Sequence, residues 1–423
     1  MAIFQHTLPR RPFLYSCSSL GYSSLYPSKP FLEYSSLHWG IHAKRDLSDC
    51  AKQLALKLFD DYTNHVFAKI LLKAEKSCFF STDFDKLSLF TGLHCASFFG
   101  IVEIVARLLE VGGCETNQVD CLGNTPLIWA AHNGHEGVVK ALLGRDAAGA
   151  DKSGNNGQTP LSCAARRGHE GVVKILFERD DVDPNKPERG GETPLLWAAY
   201  EGHEGVVKTL LGRDDVDPNK PDNGGETPIL GAAQGGHEGV VKILLRRDDV
   251  DHNRSNDWSR TPIFQAAHDG HEGVVKILLG RDDVDPNKPD SDDRTPLFQA
   301  AWSGHEGVVK ILLGRDDVDP NRPKRGDETP LLWAAYKGYE GVVKILLGRD
   351  DVDPNKPEPS GETPLWWAAR MGHEGVAKTL LGRDDIIPRK PNESGVTPLQ
   401  VAAKNGHAGM VALLQPTPLT AQA

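Results

Sequence analysis

The sequence predicts an all-helical repeat solenoid, on three observations. Thr-Pro recurs at 125, 159, 193, 227, 261, 295, 329, 363 and 397, each step 34 residues long. Every interval carries two short stretches of helical periodicity followed by a turn-rich stretch. The composition is that of an ordered protein, with 39% hydrophobic and 25% charged residues, and no run of ~18 apolar residues is present to span a bilayer. A fixed period of this size means that each unit touches mainly its neighbours. The 423 residues therefore read as an array rather than as two or three globular domains.

The unit at 193–226 shows why each element forms. Thr193 is a good helix N-cap, and Pro194 fits the first helical position, where a missing N–H costs nothing. Leu195, Ala198 and Ala199 share a face, and the alanines allow close helix approach. Gly202 ends this helix in a left-handed conformation. Val206, Val207, Leu210 and Leu211 form the apolar stripe of a second helix, which Gly212 is expected to stop. Pro218, Pro221 and Asn223-Gly224-Gly225 then favour extended backbone and a hairpin-like turn, a finger. Neither helix can bury its stripe alone, so the units must stack. One step back from Thr125 lands on Thr91-Gly92-Leu93-His94, which gives ten units over 91–414. The last, from Thr397, lacks a finger and is expected to act as a cap.

The TPL opening, the paired alanines, Gly-His, VVK-LL and the closing Asn, repeated in phase, resemble the ankyrin repeat. The resemblance implies helix-turn-helix units with a β-hairpin-like finger and a non-enzymatic protein-binding role. The chain departs from that pattern in two ways. The period is 34 rather than 33, and the His after TPL occurs only as His94; Ile128, Ser162, Leu196, Leu230, Phe264, Phe298, Leu332, Trp366 and Gln400 replace it. Residues 31–90 are expected to form a helical connector, with helices near 46–60 and 65–75. That segment is similar to the connector preceding the array in fungal NACHT–ankyrin proteins of the STAND type. This second resemblance implies an alternative role, the ligand-sensing part of a nucleotide-switched receptor in self/non-self recognition, here lacking its NTPase, since no GxxxxGK[ST] text occurs. Residues 1–30 and 415–423 are expected to be a disordered lead-in and tail.

Charge and chemistry narrow the function. Acids outnumber bases 58 to 48, for a net charge of −10, which argues against a nucleic-acid partner. The acid sits mainly in the RDDVD text of each finger and should form a solvated ridge, partly neutralised by the Arg before each pair. Asp215, Asp217, Asn219 and Glu226 have the spacing of a calcium loop, but Lys220 falls where such a loop needs Gly, so no metal is expected. The recurring His-Glu-Gly lacks the second His of a zinc protease and reads as a turn hydrogen bond. No catalytic set and no cofactor motif stands out. The seven cysteines include no CxxC pair and favour a reducing, cytoplasmic setting.

Units differ most seven and eight residues after each Thr. The residues there include Arg166, Arg167, Tyr200, Glu201, His268, Asp269, Trp302, Tyr336, Lys337, Arg370 and Met371. In ankyrin proteins that position faces the concave groove beside the finger. These residue types match binding hot spots, so they are the expected contacts of a protein partner, whose identity the sequence leaves open. On this reading, replacing Trp302, Tyr336 and Tyr200 by Ala abolishes binding without lowering stability. A second variable column, four residues after each Thr (Trp129, Cys163, Trp197, Trp333 and Trp367 among them), reads as semi-buried packing.

Overall fold

A computed structural model describes residues 91–111, 115–144 and 149–415. The chain divides into two units, Met1–Leu87 and Ser88–Ala423, and every described helix lies in the second. The expected lead-in 1–30, the connector helices near 46–60 and 65–75, and the tail beyond 415 lie outside the described residues.

The described residues form twenty helices in pairs, one pair per 34-residue unit. The first five pairs are α1 (Gly92–Phe99) and α2 (Val102–Val111), α3 (Pro126–His132) and α4 (Glu136–Leu143), α5 (Pro160–Arg167) and α6 (Glu170–Phe177), α7 (Pro194–Tyr200) and α8 (Glu204–Leu210), α9 (Pro228–Gln234) and α10 (Glu238–Leu244). The remaining pairs are α11 (Pro262–Asp269) and α12 (Glu272–Leu279), α13 (Pro296–Ser303) and α14 (Glu306–Leu312), α15 (Pro330–Lys337) and α16 (Glu340–Leu346), α17 (Pro364–Met371) and α18 (Glu374–Leu381), α19 (Pro398–Lys404) and α20 (Ala408–Leu414). First helices pack on first helices and second on second, in chain order. Along the array the Ala pairs of the first helices and the Val-Val-Leu stripes of the second are almost wholly buried. Burying each such Val or Leu is worth about 1.5–3 kcal/mol, and only the next unit supplies the cover. The fold is an all-helical repeat solenoid.

The caps form as expected. Thr193 Oγ1 accepts the N–H of Leu196 at 3.2 Å, and every Thr-Pro unit repeats this bond. Gly202 has φ +78, and a Cβ there would fall 2.4 Å from His237 Nδ1, so no other residue fits. Gly212, in contrast, does not stop the second helix by a left-handed turn. The equivalent Gly144, Gly280 and Gly382 are right-handed (φ −65 to −73), and Glu178 stands at the same position in its unit. The second helix ends instead because the following Arg-Asp-Asp text turns: Arg213 N–H bonds back to the Leu210 carbonyl.

The fingers contain no strand among the described residues. Five are turns closed by a side chain: Asp222 Oδ1 accepts the N–H groups of Gly224 and Glu226, both at 2.8 Å, and Asp120, Asn256, Asp290 and Asn392 do the same in theirs. One backbone bond joins the Asp222 turn to the preceding finger, from Asn223 N–H to the Gly190 carbonyl at 2.8 Å.

Polar side chains stitch each unit to the next at three levels. His237 Nε2–H donates to the carbonyl of Tyr200 in the preceding unit at 2.8 Å, and His135, His169, His203, His271, His305, His373 and His407 do the same in their units. The Glu after each His lies over the Gly of the next unit, so that a Cβ on Gly239 would fall 1.8 Å from Glu204 Oε1. In the fingers, Asn219 donates Nδ2 to the Asp249 carbonyl at 2.6 Å and accepts the Asp251 N–H on Oδ1 at 2.7 Å. Lys220 Nζ donates to the Asn185 carbonyl at 2.9 Å. Of the residues with calcium-loop spacing, Asn219 and Glu226 join units, Asp217 Oδ1 accepts the Asn219 N–H within its own finger at 2.9 Å, and Asp215 is held by Arg213 at 2.6 Å. His-Glu-Gly is likewise an inter-unit joint rather than a local turn bond.

The two ends of the array differ. His94 is fully buried in the first unit; Nδ1 accepts the Thr91 N–H at 3.2 Å while Nε2–H is shared by the carbonyls of Gln118 and Asn124, each at 3.1 Å. Later units divide these tasks. Ser162 and Gln400 accept the Thr N–H, and Trp366 Nε1–H reaches the Val396 carbonyl at 3.1 Å. At the other end Gln400 and Ala403 are exposed, where inner units bury Leu or Phe and Ala, as a capping unit requires.

Two outcomes follow for stability. Asn219→Ala removes a two-way bond across one joint and is expected to cost about 1–2 kcal/mol in denaturant unfolding; an unchanged midpoint would contradict the joint. Burial lowers the His94 pKa to about 4 from 6.5. Between those values the unfolded chain takes up a proton that the folded unit refuses, so stability is present above pH 6.5 and is lost as pH falls, by up to about 3 kcal/mol. Hydrogen exchange, corrected for intrinsic rates, should show α1 and α2 losing protection between pH 7 and pH 5 in the parent but not in His94→Leu.

Candidate interaction face

All the variable positions lie at the C-terminal ends of the first helices or on their caps. Tyr200 closes α7 and Glu201 caps it, while Asp269, Lys337 and Met371 are the last residues of α11, α15 and α17. Arg166, Arg167, Tyr200, Glu201, Lys337, Arg370 and Met371 are exposed; His268, Asp269, Trp302 and Tyr336 are half-buried. The stacking that orders the helices sets these residues in a row, one step per unit.

The second variable column joins them. Trp333 and Trp367, four residues after their Thr, project onto the same face as Trp302 and Tyr336. Ring centroids run from Phe298 to Trp302 at 6.2 Å, Trp302 to Trp333 at 4.0 Å, Trp333 to Tyr336 at 5.0 Å, Tyr336 to Trp367 at 5.1 Å and Trp367 to Trp366 at 5.3 Å. One aromatic stripe thus crosses units seven to nine, built alternately from the two columns. Their separation into a binding column and a packing column does not hold in space. A half-buried indole usually finds a partner for its N–H. Trp333 Nε1–H donates to Glu328 Oε2 at 2.6 Å and Trp367 Nε1–H to Glu358 Oε1 at 2.7 Å, so carboxylates from the fingers edge the stripe. Burial and the nearby Glu362 and Glu328 raise the Glu358 pKa.

Cations lie over the rings. Lys324 Nζ, from a finger, is 4.9 Å from the Trp333 centroid and 5.4 Å from that of Trp302. Lys337 Nζ is 5.3 Å from Trp302, and Arg370 Cζ is 4.8 Å from Trp367. A smaller group forms in units two to four. Arg166 Cζ lies 3.9 Å over Trp197, with Glu201 at 4.0 Å from the guanidinium, Tyr200 stands edge-on to Trp197, and Arg167 reaches His132 Nε2 at 3.0 Å. Between the two groups, units five and six carry no ring at either column except His268, whose Nδ1 meets Asp269 Oδ1 at 2.7 Å. Trp258, on a finger in this region, is 54% exposed and was absent from the sequence-based candidates because its position holds Gly, Asp, Asn or Ser in most other units.

The family comparison agrees with this architecture. Models described as Ankyrin repeats (3 copies) match residues 37–153, 93–188, 145–222, 180–256, 229–324 and 331–419, and a model described as Ankyrin repeats (many copies) matches 303–347. The chain belongs to the ankyrin-repeat family, whose members are protein-interaction modules. The first match begins at residue 37, ahead of the first described helix. No curated protein matches the chain. No helix among the described residues is long and apolar enough to cross a membrane.

The ring contacts change the expectation for Trp302. Its indole packs at 4.0 Å on Trp333 and contacts Phe298, so Trp302→Ala opens a gap in the stripe and is expected to cost about 2–3 kcal/mol in denaturant unfolding. Met371→Ala, at an exposed position, should change stability by less than about 0.5 kcal/mol. Equal, small costs for both would contradict the packed stripe.

Proposed function

We propose that the protein is a non-enzymatic scaffold that captures a protein partner on the face made by its first helices and fingers, the concave surface of the array. The aromatic stripe from Trp302 to Trp367 carries this reading. The inter-unit bonds repeat almost unchanged along the chain, whereas this face varies from unit to unit and gathers Trp, Tyr, Arg and Met, the residues that dominate protein-binding energetics. Tyr200 and the Arg166–Trp197 pair offer a second contact in the N-terminal half, and His268 and Asp269 a polar stretch between. The alternative role, sensing a ligand for a STAND-type receptor, rests on residues 31–90, outside the described region; nothing in the array favours it over the scaffold.

The test uses a photo-crosslinker placed at Tyr336 or Tyr200 and, as control, at Lys174 on the second-helix side. Adducts to the same protein from both face positions and none from Lys174 are expected; the reverse pattern would remove the reading. Tyr336→Ala with Met371→Ala should weaken affinity for the crosslinked protein by ~10-fold or more, about 1.4 kcal/mol.

A further inference from the structure

The charges around the aromatic stripe are unequally committed. Its carboxylates are turned to the stripe or buried: Glu328 accepts the Trp333 indole and pairs with Lys324 at 2.7 Å, Glu358 accepts the Trp367 indole, and the buried Glu362 accepts Asn392 Nδ2 at 2.8 Å on one oxygen, its other being buried without a partner. Its outer cations are not. Lys337, Arg370 and Lys404 end or nearly end α15, α17 and α19, are exposed, and pair with no carboxylate among the described residues. The arginines that open the Arg-Asp-Asp text, by contrast, are tied down. Arg179, Arg213, Arg247, Arg281, Arg315, Arg349 and Arg383 each hold the Asp two residues on. Helix C-termini favour cations, yet α9 and α13 end in Gln234 and Ser303, so the helix dipole alone does not demand this row.

Resting on the proposed face, we infer that units seven to ten bind an acidic segment of a second protein, one that places aromatic or large apolar side chains on the Trp302–Tyr336–Trp367 stripe and carboxylates on Lys337, Arg370 and Lys404. Stacked helices repeat ~10 Å apart, which an extended peptide covers in about three residues. The segment therefore alternates a carboxylate and an apolar anchor at about that spacing. Cations already lie over the Trp302 and Trp367 rings, so a basic segment meets like charge where an acidic one meets unused N–H donors.

The probe is a displayed library of random 12-residue peptides selected on the full chain. Enrichment of net-negative peptides containing Phe, Trp or Leu is expected. Their affinity should fall ~10-fold or more in Lys337→Gln/Arg370→Gln, and should fall with added salt. Circular dichroism melting checks that this neutralised variant is folded, and Lys337→Arg should retain binding. An enriched pool that is neutral or basic but loses binding in Tyr336→Ala would overturn the charge assignment and leave the face standing. A pool indifferent to Tyr336→Ala, or no enrichment at all, would overturn both. Concentration-dependent self-association that disappears in Lys337→Gln/Arg370→Gln would assign the row to a second copy of this chain instead.

Discussion

A single 34-residue unit has a Val-Val-Leu stripe and an Ala pair that it cannot cover by itself, and everything else in the molecule depends on how the next unit covers them. Apolar burial supplies the driving force but is indifferent to register. Register comes from the polar joints: His to the helix carbonyl of the preceding unit, Glu over the next Gly, Asn to both the carbonyl and the N–H of the next finger. Each joint satisfies backbone groups that helix ends and turns leave open. Each also needs its partner 30 to 37 residues away, at the same place in the adjoining unit. Sliding one unit against the next would break all three at once.

These joints divide the work within a unit. Residues that meet a neighbour are nearly identical from unit to unit because both partners of a joint repeat together. Where the text departs, the structure shows the local consequence. Tyr339 replaces His, lays its ring on Gly304, and leaves the Trp302 carbonyl without the bond seen elsewhere. Asp151 stands where other units carry Asn; it keeps a bond from Lys186 but has one buried oxygen without a partner. The ends of the first helices enter the repeated joints through their backbone carbonyls, so their side chains vary, and where they touch across units, as Trp302 on Trp333 or Arg166 on Trp197, the contact is particular to that pair. The variable face is the part of the unit that the repeated joints do not use.

Much of this was legible in one sequence. The period, the Thr caps, the Gly-His boundary and the apolar stripes are local signals, and repetition removes their ambiguity. Two features were not legible. Asp215, Asp217 and Asn219 share a cation-loop spacing, yet Asp215 is held by Arg213, Asp217 accepts the Asn219 N–H, and the role of Asn219 is hidden because only the stack brings it to Asp249. Trp333 and Trp367 read as packing residues because one-dimensional columns separate them from Trp302 and Tyr336, whereas the step between units interleaves the columns into one stripe.

The central claim is that stability resides in the joints between units rather than in the units. Denaturant unfolding of chains shortened by whole inner 34-residue units, with the first and last units kept, tests it most directly. The account predicts unfavourable folding for an isolated inner unit and a nearly constant gain in unfolding free energy for each joint restored. Stability that stays the same as units are removed, or a single inner unit that folds alone, would contradict it.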